Sequence, residues 1–397
     1  MERAHPTESH APQPGGPGAP AVTVVGGGIV GLSAALRLAE MGADVTLLER
    51  GTLGGGATGA TFAWLNASNK EPLAYHLLNV AGMAEYALLR RQFGAAPWLH
   101  LDGHLEWAVT DREAAWLAAK AARLHGWGYP AVWLAPDEVA RLEPEIRVDG
   151  EVDRVLASPT EGWIDTVALV GAMARRATAA GATIRTGVAV VDLLADGGRV
   201  HTVVTAGGER LPTSAVVVCT GAAAPELAGA LGVTVPMTNT VGLLTFSSPV
   251  PVDVRATVTI GRVNVRPDGG GRYCVTALDL DATVDAATPS SPAPPAAGEA
   301  LARAAEVVPG LGAAAVGSAA VSVRPIPADG LPVVGQLPGT ENAYLAVAHS
   351  GLTLGPLLGR LVARELLLGE RDDRLDGFRP ARLTAGPGEP ERVGTGA

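Results

Sequence analysis

The residues Gly26-Gly27-Gly28-Ile29-Val30-Gly31 combine a tight turn with unshielded backbone N–H groups, and an acid, Glu49, follows eighteen residues after Gly31. The pattern Gly26-x-Gly28-x-x-Gly31 suits a loop that holds a diphosphate. Gly26 permits the turn, Gly28 lets the backbone approach the anion, and Gly31 allows close packing of helix on strand. The N–H groups and dipole at a helix start complement the negative charge. A carboxylate at Glu49 accepts hydrogen bonds from both ribose hydroxyls and repels a 2′-phosphate, which disfavours NADP. Arg50 adjoins this acid and joins the expected cofactor-binding set. Taken alone, the motif does not separate FAD from NAD.

The elements around the motif have the form it requires. Residues 21–25 are an apolar, β-branched run of the kind found in buried parallel strands, and 28–41 repeat apolar residues at helical spacing before Gly42. Residues 44–48 form the next strand, which closes on Glu49, so the chain opens with a βαβ unit. A small-residue loop follows at 51–59. Helical patterns occupy 71–93, 111–124, 137–142 and 166–181, and 101–109 alternate like a half-buried strand. Strands are expected at 183–193, 200–205 and 215–219, the last running into Thr220-Gly221. Residues 233–278 read as antiparallel sheet broken by turns. A Pro/Ala/Ser/Thr-rich connection spans 281–295, then a strand ends near Arg324, another covers 343–348, and a helix covers 355–368.

Composition narrows the function classes. Of 397 residues, 47% are hydrophobic and 18% charged, the balance of a well-buried globular enzyme. A net charge of -10 argues against nucleic acid as a partner. Arginine outnumbers lysine 28 to 2, which with the Ala and Gly richness points to a GC-rich bacterial source. The two cysteines, Cys219 and Cys274, have no metal-ligand spacing and make no disulfide framework, so a reducing cytoplasm is expected, with no metal. The apolar stretch 21–39 is interrupted by glycines and gives no membrane span. Residues 1–20 lack the cationic-then-apolar order of a secretion signal.

Four blocks carry a resemblance to a known family: the βαβ start; Gly55-Gly56-Ala57-Thr58-Gly59-Ala60-Thr61-Phe62; Val217-Val218-Cys219-Thr220-Gly221-Ala222; and 324–335 followed by 349–356. The chain resembles the D-amino-acid oxidase-like FAD-dependent oxidoreductases, the superfamily of glycine oxidase, sarcosine oxidase and D-amino-acid dehydrogenase, from residue 21 to about 369. The resemblance implies an α/β fold: a discontinuous Rossmann-type FAD-binding domain of 21–64, 155–225 and 321–372, with an antiparallel-sheet α+β substrate domain of 65–154 and 226–320. Tails at 1–20 and 380–397 are expected to be disordered.

The same resemblance implies FAD, held by the glycine loop with Ile29 and Val30, by Thr58, Gly59, Ala60 and Thr61 under the pyrophosphate, by Val190 near the adenine, and by Thr220 and Gly221. N–H groups of Gly351, Leu352, Thr353 and Leu354 would meet the flavin edge that becomes anionic on reduction. It also implies oxidation of a small amine or amino acid, with hydride passing to flavin N5 and the imine then hydrolysed. Arg324 stands where the family's arginine holds the substrate carboxylate, and the alternative is a structural ion pair. His349 precedes the flavin-facing turn and would line the pocket. Lys70 is the lysine placed to supply charge for oxygen as acceptor, although another electron carrier stays open. The stretch 319–325 lacks the cysteine that tethers flavin in the sarcosine-oxidase branch, so FAD is expected to be non-covalent. Two alternatives remain, an FAD-dependent 2-hydroxy-acid dehydrogenase with His349 as base, and a flavin-binding protein without turnover.

Overall fold

The computed structural model describes residues 18–383. Most of the two expected tails, 1–17 and 384–397, lies outside the described residues, whereas Pro380–Leu383 form a single helical turn.

The β-branched run Ala21–Val25 sits near the middle of a six-stranded sheet with the order Val333–Gln336, Ala343–Val347, Ala215–Val218, Ala21–Val25, Asp44–Glu49, Thr183–Thr186. All neighbours pair in parallel except the first two strands. A parallel sheet must be covered on both faces, which explains its continuous apolar strands. The helices Ile29–Glu40, Thr166–Ala179 and Gly351–Leu368 cover one face, with Leu32, Leu36, Met173, Leu357 and Leu361 in their shared core. The helix Ala224–Ala230 and the three-stranded sheet Val190–Asp196, Arg199–Thr205, Arg210–Pro212 cover the other.

An eight-stranded sheet has the order Val316–Arg324, Thr240–Ser247, Tyr273–Ala277, Val263–Pro267, Thr257–Ile260, His104–Trp107, Val155–Ser158, Val132–Leu134. Its pairs are antiparallel apart from Thr257–Ile260 with His104–Trp107. Side chains alternate between faces along each strand. Leu105, Trp107, Val258, Val265 and Val275 pack with Ala300, Leu301 and Ala304 of the helix Pro295–Val307. The opposite face mixes polar residues with Leu156, Leu244 and Cys274 and meets the segment after the small-residue loop: Ser322 Oγ donates to the Ala60 carbonyl at 2.9 Å, and Arg266 Nε donates to the Phe62 carbonyl. The architecture is thus α/β, a Rossmann-type sheet joined to a largely antiparallel one.

Several expected elements differ in extent. The strand expected over 183–193 divides at Gly187 (φ +72°) into an outer strand of the parallel sheet and the first strand of the three-stranded sheet. The strand expected over 101–109 shortens to His104–Trp107. Val155–Ser158, expected with the dinucleotide-binding part, pairs with His104–Trp107, and the expected boundary at 321 falls inside the strand Val316–Arg324. The C-terminal helix begins at Gly351 and carries Pro356 in its second turn, where the missing N–H frees the Leu352 carbonyl that Tyr86 OH bonds. The expected loose connection 281–295 contains a helical turn, Leu280–Thr283, and leads into the Ala-rich helix Pro295–Val307.

Candidate active site

The glycine loop, the acid and the small-residue loop come together at the carboxyl end of the parallel strands. Gly26 has φ +107°, and a Cβ there would lie 2.5 Å from the Cys219 carbonyl oxygen; one on Gly31 would lie 1.9 Å from the Gly26 carbonyl oxygen. Both positions therefore exclude side chains. Glu49 ends the second strand, and its carboxylate accepts hydrogen bonds from Gly27 N–H (2.6 Å) and Gly51 N–H (2.7 Å). Thr58 Oγ1 accepts from Ile29 N–H at 3.0 Å, and Gly54 N–H donates to the Gly27 carbonyl, so the loop folds back over the glycine turn. Thr61 Oγ1 accepts from Ala63 N–H, which helps hold Ala63 at φ +59°. Val188 N–H bonds the Glu49 carbonyl, which brings the strand beginning at Val190 beside the acid. Thr220 follows the strand Ala215–Val218, its hydroxyl buried without a hydrogen-bond partner, and Gly221 has φ +59°. Arg50 is exposed.

These residues fit a dinucleotide. The helix Ile29–Glu40 starts at Gly28 with no side-chain cap, leaving N–H groups for an anion. A carboxylate stands at the ribose position, and the buried Thr220 hydroxyl lacks a partner. The site lies where Ala21–Val25 is flanked by strands leading in opposite directions along the sheet, the place where open α/β sheets bind ligands.

The start of the helix Gly351–Leu368 lies at the other end of this site. Gly351 approaches Val30, with 3.9 Å between its would-be Cβ and a Val30 methyl. Ser350, the preceding residue, makes no side-chain cap; its hydroxyl pairs with Tyr75 OH at 2.6 Å. Tyr86 OH donates to the Leu352 carbonyl at 2.6 Å, and Thr353 Oγ1 lies 3.5 Å from the Trp64 carbonyl. Thr353 and Leu354 are buried. The two tyrosines of Leu73–Phe93 thereby anchor the turn and leave N–H groups of the first turn unbonded within the helix.

His349, Lys70 and Arg324 converge. The His349 imidazole is accessible yet recessed among protein atoms. That desolvation, together with the positive charges of Lys70 and Arg324, holds it down at about 4. Lys70 is pushed down to about 8, chiefly by desolvation; Glu161 opposes the shift and Lys120 adds to it. Glu161, fully buried, accepts from the N–H groups of Ala67 (3.0 Å) and Ser68 (2.7 Å) and from Tyr129 OH (2.7 Å), which fixes the segment leading to Lys70. Arg324 Nη1 pairs with Asp281 Oδ2 at 2.8 Å and donates to the Val241 carbonyl at 3.0 Å. Its guanidinium lies flat over Gly242, where a Cβ would be 2.3 Å from Nη2.

Asp281, Gly242 and Glu161 were not singled out from sequence. Asp281 lies in a stretch that reads as a connection, and the other two gain meaning through contacts distant in the chain. The tryptophans of the 98–133 region do not line one cavity: Trp98 and Trp107 are in separate cores, Trp127 and Trp133 border a third, and Trp116 is exposed. Among the described residues no group of three or more His, Cys, Asp or Glu is placed to hold a metal, and no helix is long and apolar enough to cross a membrane.

A family model described as FAD dependent oxidoreductase (DAO) matches residues 21–365. Glycine oxidase from Geobacillus kaustophilus (strain HTA426) is 28% identical over 372 residues, covering 91% of this chain and 96% of its own. D-amino acid dehydrogenase from Sinorhizobium medicae (strain WSM419) is 28% identical over 285 residues, covering 70% of this chain and 66% of its own. The crystal structure of glycine oxidase from Geobacillus kaustophilus superposes with a TM-score of 0.81 at 25% identity, over 92% of this chain and 99% of that one.

Proposed function

We propose, for a chain that belongs to the DAO family of FAD-dependent oxidoreductases, that its substrate is a small amine or amino acid oxidised at a C–N bond. FAD, when bound, supplies the two-electron acceptor. The observation that carries the substrate reading is the convergence of Lys70 and Arg324 on the recessed His349, beside the start of the helix Gly351–Leu368. Arg324, held by Asp281 and the Val241 carbonyl, offers its remaining donors to a substrate carboxylate. Neighbouring positive charges disfavour an ammonium and favour the neutral amine, the form that yields electrons. His349, uncharged at neutral pH, adds no further positive charge. N–H groups of the first helical turn stand ready to stabilise negative charge. The imine product is hydrolysed by water, and the electrons pass to oxygen or another acceptor.

FAD binding is taken as non-covalent, since both cysteines are buried and burial pushes their thiols up, to about 12 at Cys219 and about 11 at Cys274. The same unpaired thiols support a reducing cytoplasm as the compartment. The test is anaerobic bleaching of the flavin absorbance by glycine, sarcosine, D- and L-amino acids and hydroxy acids, repeated in air. Bleaching by amines supports the reading; bleaching by hydroxy acids alone overturns it. The neutral His349 makes oxidation of a 2-hydroxy acid the second reading, because an uncharged imidazole can take a hydroxyl proton. His349→Ala separates the two: it would abolish hydroxy-acid oxidation while leaving amine oxidation at a measurable rate.

A further inference from the structure

The helix Leu73–Phe93 lays one face along the turn that opens the helix Gly351–Leu368. Tyr75, Gly82 and Tyr86 recur at helical spacing on that face. Tyr75 OH pairs with Ser350 Oγ at 2.6 Å, and a Cβ on Gly82 would lie 2.6 Å from the Thr353 carbonyl oxygen, so glycine permits this approach. Glu85, beside Tyr86, ties the two helices together: its buried carboxylate accepts from Arg360 Nε at 2.9 Å and from Nη2 at 2.8 Å. Tyr86, itself buried, then donates from its hydroxyl to the Leu352 carbonyl at 2.6 Å.

Pro356 gives that bond its meaning. In an α-helix the carbonyl of residue 352 accepts from the N–H of residue 356. Proline has no N–H, so the Leu352 carbonyl is released and Tyr86 takes it. The Leu352 carbonyl and the Thr353 N–H belong to one planar peptide unit. Thr353 lies in the first turn, where an N–H has no carbonyl of its own helix to bond. A hydrogen bond accepted at the oxygen draws electron density from the nitrogen through the shared resonance. The N–H then becomes a stronger donor, by about 10–30% per bond in such chains. Burial pushes the Tyr86 hydroxyl up, so it keeps the proton it donates at neutral pH.

Resting on the reading that the first-turn N–H groups meet the flavin, we propose that Tyr86 and Pro356 are positioning residues for the flavin edge that becomes anionic on reduction. Pro356 frees the Leu352 carbonyl, Tyr86 donates to it, and the Thr353 N–H of the same peptide donates more strongly to that edge. Bound FAD is thereby easier to reduce.

Tyr86→Phe keeps the ring and its packing against Trp98 and removes only the hydroxyl. In an anaerobic redox titration of the holoenzyme against a dye of known potential, it should shift the two-electron equilibrium about threefold away from reduced flavin, a midpoint lower by about 15 mV. The double variant Tyr86→Phe/Pro356→Ala returns an N–H to the Leu352 carbonyl from residue 356, and it should recover at least half of that shift. FAD labelled with carbon-13 at C2 supplies a second readout. Its resonance in the holoenzyme should lie downfield of free FAD and move part of the way back in Tyr86→Phe. An unmoved potential in Tyr86→Phe, even with a lowered thermal midpoint, leaves the hydroxyl a structural role and overturns the proposal. A shift that Pro356→Ala does not reverse also overturns it, since the effect would not pass through this peptide. A C2 resonance in the parent equal to that of free FAD would overturn the reading of the helix start itself, and the proposal with it. Neither measurement uses a substrate, so both stand apart from whether amines bleach the flavin.

Discussion

Arg324 joins three residues whose chemistry depends on it. Its guanidinium satisfies Asp281, whose side chain is 12% exposed, lies on Gly242, and holds His349 down electrostatically. Replacing it with alanine removes a charge-assisted hydrogen-bonding group, worth about 1.5–3 kcal/mol, so KM for an amino-acid substrate should rise about 10- to 100-fold with flavin content retained. Arg324→Lys keeps the charge beside Asp281 but loses the planar fork, and an intermediate KM is expected. The His349 titration supplies a second readout. Burial is the main cause of its low value, with Lys70 and then Arg324 adding to it, so Arg324→Ala should move it up from about 4 only part of the way, measurable as an upward shift of the acidic limb of the pH profile or by NMR of the ring protons. Lys70 acts at the other limb. Held down at about 8, it is charged below that pH and neutral above, so any step that uses its charge should weaken as pH rises through about 8. In Lys70→Arg the charge persists and that limb should move to higher pH; an unmoved limb in steady-state rates would remove Lys70 from the chemistry.

At the scale of elements, the site depends on close approach between strand, helix and loop. A side chain on Gly31 would overlap the Gly26 carbonyl, backbone against backbone, with no flexible group to give way. Gly31→Ala should therefore cost about 1–3 kcal/mol or more and lower both flavin content and the thermal midpoint. Gly56→Ala in the small-residue loop meets nothing within 4 Å and should leave both nearly unchanged. Equal effects of the two substitutions would show that loop composition, and not this contact, governs binding. The contrast also explains what was legible from sequence. The glycine loop and Glu49 belong to one continuous βαβ unit, so their meaning is local, and residues 21–49 fold as expected. Asp281 and Gly242 acquire their roles from contact with Arg324, far from both in the chain. Their types alone, a turn acid and a strand glycine, carry no signal. The helix Pro295–Val307 was unread for a different reason: six of its thirteen residues are alanine, so composition masks positions such as Ala300, Leu301 and Ala304 that meet the sheet.

At the scale of the whole molecule, the segments proposed to face the cofactor are far apart in the chain: 26–31, 49, 58–61, 220–221 and 351–354. The helix Gly351–Leu368 packs beside Ile29–Glu40, so the last major helix completes a core begun by the first. The sheet face that carries Ser322 and Arg266 is tied to the small-residue loop through the Ser322 bond to Ala60 and the Arg266 bond to Phe62. A ligand that bridges such segments stabilises the native chain in proportion to its binding, by about 2.7 kcal/mol at a hundredfold excess over Kd. Apoprotein prepared at low pH should thus melt several degrees below the holoenzyme, and its midpoint should climb with added FAD. FMN, which lacks the adenosine that Glu49 would hold by its ribose, should raise the midpoint much less. Denaturing the holoenzyme in guanidinium and filtering it should recover all the flavin in the filtrate, because Cys219 and Cys274 are both buried in the described fold. Flavin retained on the denatured polypeptide would overturn non-covalent binding. A midpoint equally sensitive to FMN and FAD would instead remove Glu49 from cofactor recognition, leaving the glycine loop without the acid that its spacing led us to pair with it.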